Sequence, residues 1–210
     1  MSSRRLESTT RSQPLPKDSG WLLPFLPALR ALGPRVLEVG CGPGLDAATL
    51  SRHRFEVVGF DRAREPLLRA RGRAAGATLL QADAAIPLPF RDGAFDASVA
   101  SLSLHYLPWA ATRRAFGEVA RVLRPGAAFL FRVNATDDHH HGAGQGEELE
   151  PNFYRNPASF HAETKRFFDE AAVRQAVAGL FEVEHLAHVT IDRYEQPKRV
   201  WECLARKDEP

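Results

Sequence analysis

The chain lacks the features that mark the simpler function classes. Its two cysteines, Cys41 and Cys203, make neither a disulfide framework nor a metal-ligand spacing, which fits a reducing cytoplasm. No run of 18 apolar residues is present, and the start Met1-Ser-Ser-Arg-Arg leads into polar residues without the apolar core of a leader; a cytoplasmic protein with no membrane span is expected. Charge of one sign is also missing: the formal net charge is +2, which excludes a polybasic, histone-like chain. What is present is ordinary globular usage, with 44% hydrophobic and 26% charged residues, enough to build a packed core. At 210 residues the length suits one domain, which needs no disulfide or metal to fold.

Residues 1–17 are Ser, Thr, Arg and Pro with little to bury, and are expected to be a flexible tail ahead of a single domain over 18–210. Trp21–Arg30 carries apolar residues at helical spacing, with Pro24 and Pro27 restricting where the helix starts. Strands are then expected at Arg35–Val39, Phe55–Phe60, Ala77–Ala82, Phe95–Leu102 and Ala127–Arg132. Helices at Leu45–His53, Glu65–Ala74 and Trp109–Leu123 alternate with them. That alternation predicts an α/β, Rossmann-like, doubly wound and mostly parallel sheet. Phe181–Ile191 and Lys198–Ala205 flank a turn and predict a C-terminal antiparallel hairpin closing it. The polar stretch 134–165 is too long for an ordinary connection, so it is expected to be an insert forming an acceptor lid.

The most informative segment is Val36-Leu-Glu-Val-Gly-Cys-Gly-Pro-Gly44. Glycines at alternate positions after an apolar strand let the backbone turn sharply and approach a ligand, with N–H groups near a helix N-terminus. A dinucleotide fingerprint requires glycine where Leu45 stands, and a phosphate-binding Walker loop requires a lysine that is absent. Asp61 closes the second expected strand, where a carboxylate can accept both hydroxyls of a ribose. Asp83 closes the third, within reach of an exocyclic amine on an adenine ring. Either acid alone also suits a helix cap.

Glu38-Val-Gly-Cys-Gly-Pro-Gly44, Asp61, Asp83-Ala84, Phe95-Asp-Ala-Ser-Val-Ala-Ser101 and Leu123-Arg-Pro-Gly126 together resemble the ordered motifs of class I S-adenosylmethionine-dependent methyltransferases, of the small-molecule kind often labelled "type 11". The resemblance implies a seven-stranded sheet with a reversed last strand, and S-adenosylmethionine as cofactor. It implies that Gly40, Gly42 and Gly44, with Cys41 as wall, wrap the methionine part, and that Glu38 supports the loop from below. By the same likeness Asp61, with Arg62 beside it, binds the ribose, Asp83 and Ala84 the adenine, and Ser101 lies beside the amino-acid end. The tail, with Arg193-Tyr-Glu-Gln-Pro-Lys198 and Val200-Trp-Glu202, is loosely similar to bacterial tellurite-resistance-type methyltransferases, a likeness that does not extend to a metalloid acceptor.

Methyl transfer from a sulfonium needs alignment and dryness more than acid–base chemistry. His105, after the fourth strand, is the candidate base, or else packs over the cofactor; Tyr106 is a second catalytic candidate or pocket wall. For the acceptor, Glu147, Glu148 and Tyr154 combine acids with an aromatic ring and suit a cationic group, unless they form a short capping helix. Arg193, Tyr194 and Lys198 suit an anionic group or a solvated turn. The run His139–His141 lacks regular ligand spacing, and no metal is expected. The partner expected is a small-molecule acceptor, with the protein a monomer or homodimer. Nucleic acid is disfavoured: the Pro-Pro-aromatic motif of amino-methylating DNA enzymes and a Pro-Cys dipeptide are both missing. The alternatives kept are an RNA or protein methyltransferase, a cofactor-binding regulatory or partner subunit without turnover, and a nucleotide-binding oxidoreductase.

Overall fold

The computed structural model describes residues 19–157, 163–192 and 195–208; the expected tail over 1–17 lies outside them. Parallel strands β1 (Arg35–Val39), β2 (Glu56–Asp61), β3 (Thr78–Gln81), β4 (Phe95–Ser101) and β5 (Leu123–Asn134) alternate with helices α2 (Leu45–Arg52), α3 (Arg64–Arg73) and α4 (Trp109–Val122). Helix α5 (Glu170–Val177) leads into the antiparallel pair β9 (Phe181–Ile191) and β10 (Lys198–Lys207). The sheet order is β3-β2-β1-β4-β5-β10-β9, with β10 antiparallel to β5. The expected seven strands and reversed end are therefore present.

Residues of each central strand alternate between two cores, as period-two side chains must. In β5, Phe129, Phe131 and Val133 pack with Phe116 and Val119 of α4 and Val173 and Ala176 of α5. Ala128 and Leu130, between them, pack with Leu26 and Leu29 of α1 (Leu26–Leu32) and Ala47 and Leu50 of α2. Both faces are covered, which is why these strands read as continuous apolar runs. The chain order reverses between β1 and β4, and a crevice opens there at the carboxyl ends of the strands.

Four details differ from the sequence reading. The Trp21–Arg30 stretch is a 3-10 helix, Ser19–Phe25, running into α1, because Pro24 and Pro27 lack the N–H groups an earlier α-helix needs. β5 starts at Leu123, four residues early, with a register shift against β4 between Phe95 and Ala97 that accommodates Pro125 and Gly126. Helix α5, unread in the sequence, has Asp169 as N-cap, its side chain accepting the N–H of Ala172 at 2.7 Å. The insert contains a separate antiparallel sheet, β6 (Glu147–Glu150), β7 (Phe153–Arg155) and β8 (Thr164–Arg166), so Glu147–Tyr154 is a hairpin rather than a helix.

That small sheet is fastened on two sides. Phe168 donates its N–H to the carbonyl of Asn134 at 2.8 Å, holding the end of β8 along the end of β5. On the other side Arg166 donates to the carbonyl of Leu107 at 3.3 Å, and Thr164 Oγ1 donates to the carbonyl of Tyr106 at 3.5 Å. Glu150 accepts the N–H of Trp109, at the start of α4, at 2.8 Å and also pairs with Arg166. No helix among the described residues is long and apolar enough to cross a membrane.

Candidate functional site

The turn after β1 is built by three glycines with two different jobs. All have positive φ, at 66°, 50° and 76° for Gly40, Gly42 and Gly44, a region costly for residues with a Cβ. At Gly40 a Cβ would lie 2.3 Å from the Cβ of Ser103, and at Gly44 it would lie 2.8 Å from that of Ala70 on α3. At Gly42 it would meet nothing within 4 Å. Two of the glycines thus permit protein packing, and the middle one leaves backbone facing open space.

The loop is tied to the second strand. Cys41 donates its N–H to the carbonyl of Phe60 at 2.8 Å, and Gly42 donates its N–H to Asp61 Oδ2 at 2.9 Å. Asp61 Oδ1 accepts the N–H of Ala63 at 2.9 Å. Each oxygen keeps further lone-pair capacity for a ligand hydroxyl. Asp83 Oδ1 likewise accepts the N–H of Ala85 at 2.9 Å. Beneath the loop Glu38 is buried, and that burial, with Asp46 and then Asp61 nearby, pushes its carboxyl well above the usual range despite a hydrogen bond from Ala47. Burial, with Glu38 and Asp61 nearby, also pushes the Cys41 thiol up, which disfavours the thiolate.

These elements border one cavity of about 560 Å³, within the range of small-molecule sites. Glu38, Gly40, Cys41, Gly42, Asp61, Arg62, Asp83, Ala84 and Ser101 line it, as do the two catalytic candidates His105 and Tyr106. Gly44 does not; it is turned toward α3. Ser101 Oγ accepts a hydrogen bond from Arg132 at 2.7 Å, and the Arg132 guanidinium lies 4.2 Å from the ring centroid of Trp21. Trp21 in turn donates to Asp46, so the segment before α1 closes over the glycine-loop side of the sheet edge. His105 is buried, its ring centroid 4.1 Å from that of Tyr106. Leu102, between β4 and these residues, holds a φ of 55°, a strained backbone at the cavity wall.

The acceptor candidates of the insert are not in this cavity. Glu147 pairs with Arg155, and Glu148 accepts the N–H of Asn152 at 2.8 Å. Tyr154 is raised by burial and by Glu148, and packs toward Phe167 at 6.1 Å between centroids. Glu148 and Tyr154 pair across the small sheet in line with Lys165 and so share its face, but they stand on the strands farther out and do not reach the lining. Arg193 and Tyr194 lie outside the described residues. In their place Asn134, His141, Lys165 and Lys198 line the cavity. Of these, sequence reasoning had considered only Lys198 as an anion contact and His141 as part of a histidine run. Lys198 is buried and donates to Asp138 at 2.7 Å, and His141 Nδ1 lies 2.8 Å from the other oxygen of that carboxylate.

Residues 36–126 match the family described as "Methyltransferase domain". A fatty-acid O-methyltransferase of Mycolicibacterium smegmatis is 42% identical over 103 residues, covering 47% of this chain and 36% of that protein. The chain spans less than half the length of the curated relatives it matches. Among solved structures, a SAM-dependent methyltransferase of Methanosarcina mazei superposes with a TM-score of 0.73 at 20% identity, covering 84% of this chain and 93% of that one. A 1,6-didemethyltoxoflavin-N1-methyltransferase of Burkholderia thailandensis, solved with S-adenosylhomocysteine, superposes with a TM-score of 0.67 at 21% identity, covering 91% and 80%. Residues 36–126 are thus similar to methyltransferase domains, and they are carried on the fold that these solved methyltransferase structures share.

Proposed function

We propose that the chain transfers a methyl group from S-adenosylmethionine to a small-molecule acceptor by direct in-line displacement. The observation that carries this is the cavity itself, lined together by the open glycine turn, the Asp61 and Asp83 residues and the ends of β4, β5 and β8. The chain's residues fit the cofactor: a side chain at Gly42 would enter the space beside the loop, and both acids keep oxygen lone pairs for hydroxyl and amine donors. When bound, S-adenosylmethionine supplies a methyl group already activated by its sulfonium. Asp61 and Asp83 orient the nucleoside, and Glu38 and Ser103 hold the glycine loop. His105, Tyr106 and Leu104 narrow the wall and exclude water, which raises the worth of every charge inside. The insert serves as the acceptor lid through β8. A relative named for fatty acids and a structural neighbour named for a toxoflavin precursor support a small acceptor.

Calorimetric titration with S-adenosylmethionine and, separately, with S-adenosylhomocysteine tests the reading. Micromolar binding of both is expected. Binding of neither overturns it, and tighter binding of a nicotinamide dinucleotide would replace it with an oxidoreductase.

A further inference from the structure

Lys165 sits on β8, in the strand that spans from Tyr106 and Leu107 to the end of β5. It lines the cavity, and its ammonium has one hydrogen bond, a long one of 3.4 Å to the carbonyl of His141. An ammonium carries three donors, so two of them have no protein acceptor among the described residues. No carboxylate among those residues lies within ion-pair distance. Asp138, whose charge acts on Lys165, is already committed: it accepts from Lys198 at 2.7 Å, from the N–H of Arg199 at 3.0 Å, and stands 2.8 Å from His141 Nδ1. Burial and then Lys198 push the Lys165 ammonium below the usual lysine range, with Asp138 opposing.

Beside it on the same wall is Asn134, the last residue of β5, 1% exposed. Neither Nδ2 nor Oδ1 of this amide has a hydrogen-bond partner. Buried amides in folded proteins are almost always satisfied, and a pair of orphaned atoms facing a cavity marks a place where a ligand completes the bonding. The backbone around it is pinned, since the carbonyl of Asn134 accepts from Phe168 at 2.8 Å. One uncompensated cation and one amide donor therefore line the cavity that Asp61 and Asp83 also line.

We infer that Lys165 and Asn134 form an anion subsite that recognises a carboxylate on the methyl acceptor, so that the acceptor class is a small organic acid. The inference rests on the methyltransferase reading for the word acceptor, but not for the subsite. Its charge arithmetic selects a monoanion. Lys198 is neutralised by Asp138, which leaves the single charge of Lys165 to be matched; a dianionic phosphate ester would keep one charge buried and unpaired. The wall around the pair, with Leu102, Leu104 and Leu107, suits the apolar body of such an acid.

The test uses benzoate and decanoate against benzamide and decanamide, titrated into the full chain with and without saturating S-adenosylhomocysteine. At least one acid is expected to bind tenfold or more tightly than its amide. In Lys165→Gln that preference disappears, in Lys165→Arg most of it returns, and S-adenosylhomocysteine affinity is the same in all three. Asn134→Ala, compared after its circular dichroism matches the parent, weakens acid binding without touching the amide. Equal binding of acid and amide by the parent chain, a preference that survives Lys165→Gln, or tighter binding of phenyl phosphate than benzoate overturns the subsite. Failure of S-adenosylhomocysteine to bind, with the acid preference intact, overturns the methyltransferase function and leaves the subsite standing.

Discussion

The carboxylate of Asp61 accepts the N–H of Gly42 at 2.9 Å. An acid that the motif pattern assigns to the ribose is therefore also the strut that holds the glycine turn open. Asp61→Ala is expected to weaken S-adenosylmethionine binding by about 1–3 kcal/mol, since charge-assisted hydrogen bonds on both sides of the carboxylate are lost together. Isothermal titration of the variant checks this, and unchanged affinity would remove Asp61 from the cofactor site.

Gly40 and Gly42 are expected to separate stability from binding. Gly40→Ala forces a Cβ to within 2.3 Å of Ser103 and should cost about 2 kcal/mol or more in a denaturant titration. Gly42→Ala meets no protein atom within 4 Å, so only the strain of its left-handed backbone is felt, about 1 kcal/mol. Its cofactor affinity should nevertheless fall at least tenfold. Equal cofactor affinity in Gly42→Ala and the parent would show that the turn does not touch the ligand.

Recognising this half of the site from sequence was possible because its signals are local. A strand, a glycine turn and an acid at the next strand end are each set by a few neighbouring residues, and the parallel topology then brings Gly42, Asp61 and Asp83 to one crevice. The other half was not legible. Asn134, His141, Lys165 and Lys198 meet only because β8 folds back across β5 and the Tyr106–Leu107 segment, contacts spanning up to 60 residues of chain. Glu147 and Glu148 drew attention by composition, yet both lie exposed on β6, the strand of the small sheet farthest from β8. Helix α5 went unread although Asp169 before Glu170-Ala-Ala-Val is a standard cap signal.

Asp96 is expected to anchor the sheet in a pH-dependent way. Burial pushes its carboxyl up, but hydrogen bonds from Arg35 at 2.8 Å and Arg124 at 3.0 Å more than reverse this, leaving it below the usual aspartate value. A depressed carboxylate stabilises the fold above its unfolded value of about 3.9 and loses that contribution as pH falls through the folded value. Asp96→Asn should therefore cost about 2 kcal/mol near neutrality, a figure kept low because both arginines are partly exposed. The gap between the parent and variant stability curves should begin to close only as pH falls below about 4. A gap that is the same at about pH 7 and at the lowest pH where both chains stay folded would assign the loss to packing instead.

His105→Gln keeps polar volume at the wall while removing the imidazole. With its ring buried against Tyr106, His105 is expected to act as wall, so turnover of an acceptor found by screening should fall less than about tenfold. A loss beyond about a hundredfold with intact S-adenosylmethionine affinity would assign it proton transfer.

The two-sided fastening of β8 carries a consequence for how such a chain diversifies. The glycine turn, Asp61 and Asp83 fall within residues 36–126, while Asn134, His141, Lys165 and Lys198 all come after them. Exchanging or reshaping the stretch between the ends of β5 and β8 rewrites one wall of the crevice and leaves the nucleoside rim untouched. On the proposed function, acceptor choice and cofactor choice lie in separate stretches of the chain, and a match over residues 36–126 is silent about the later one.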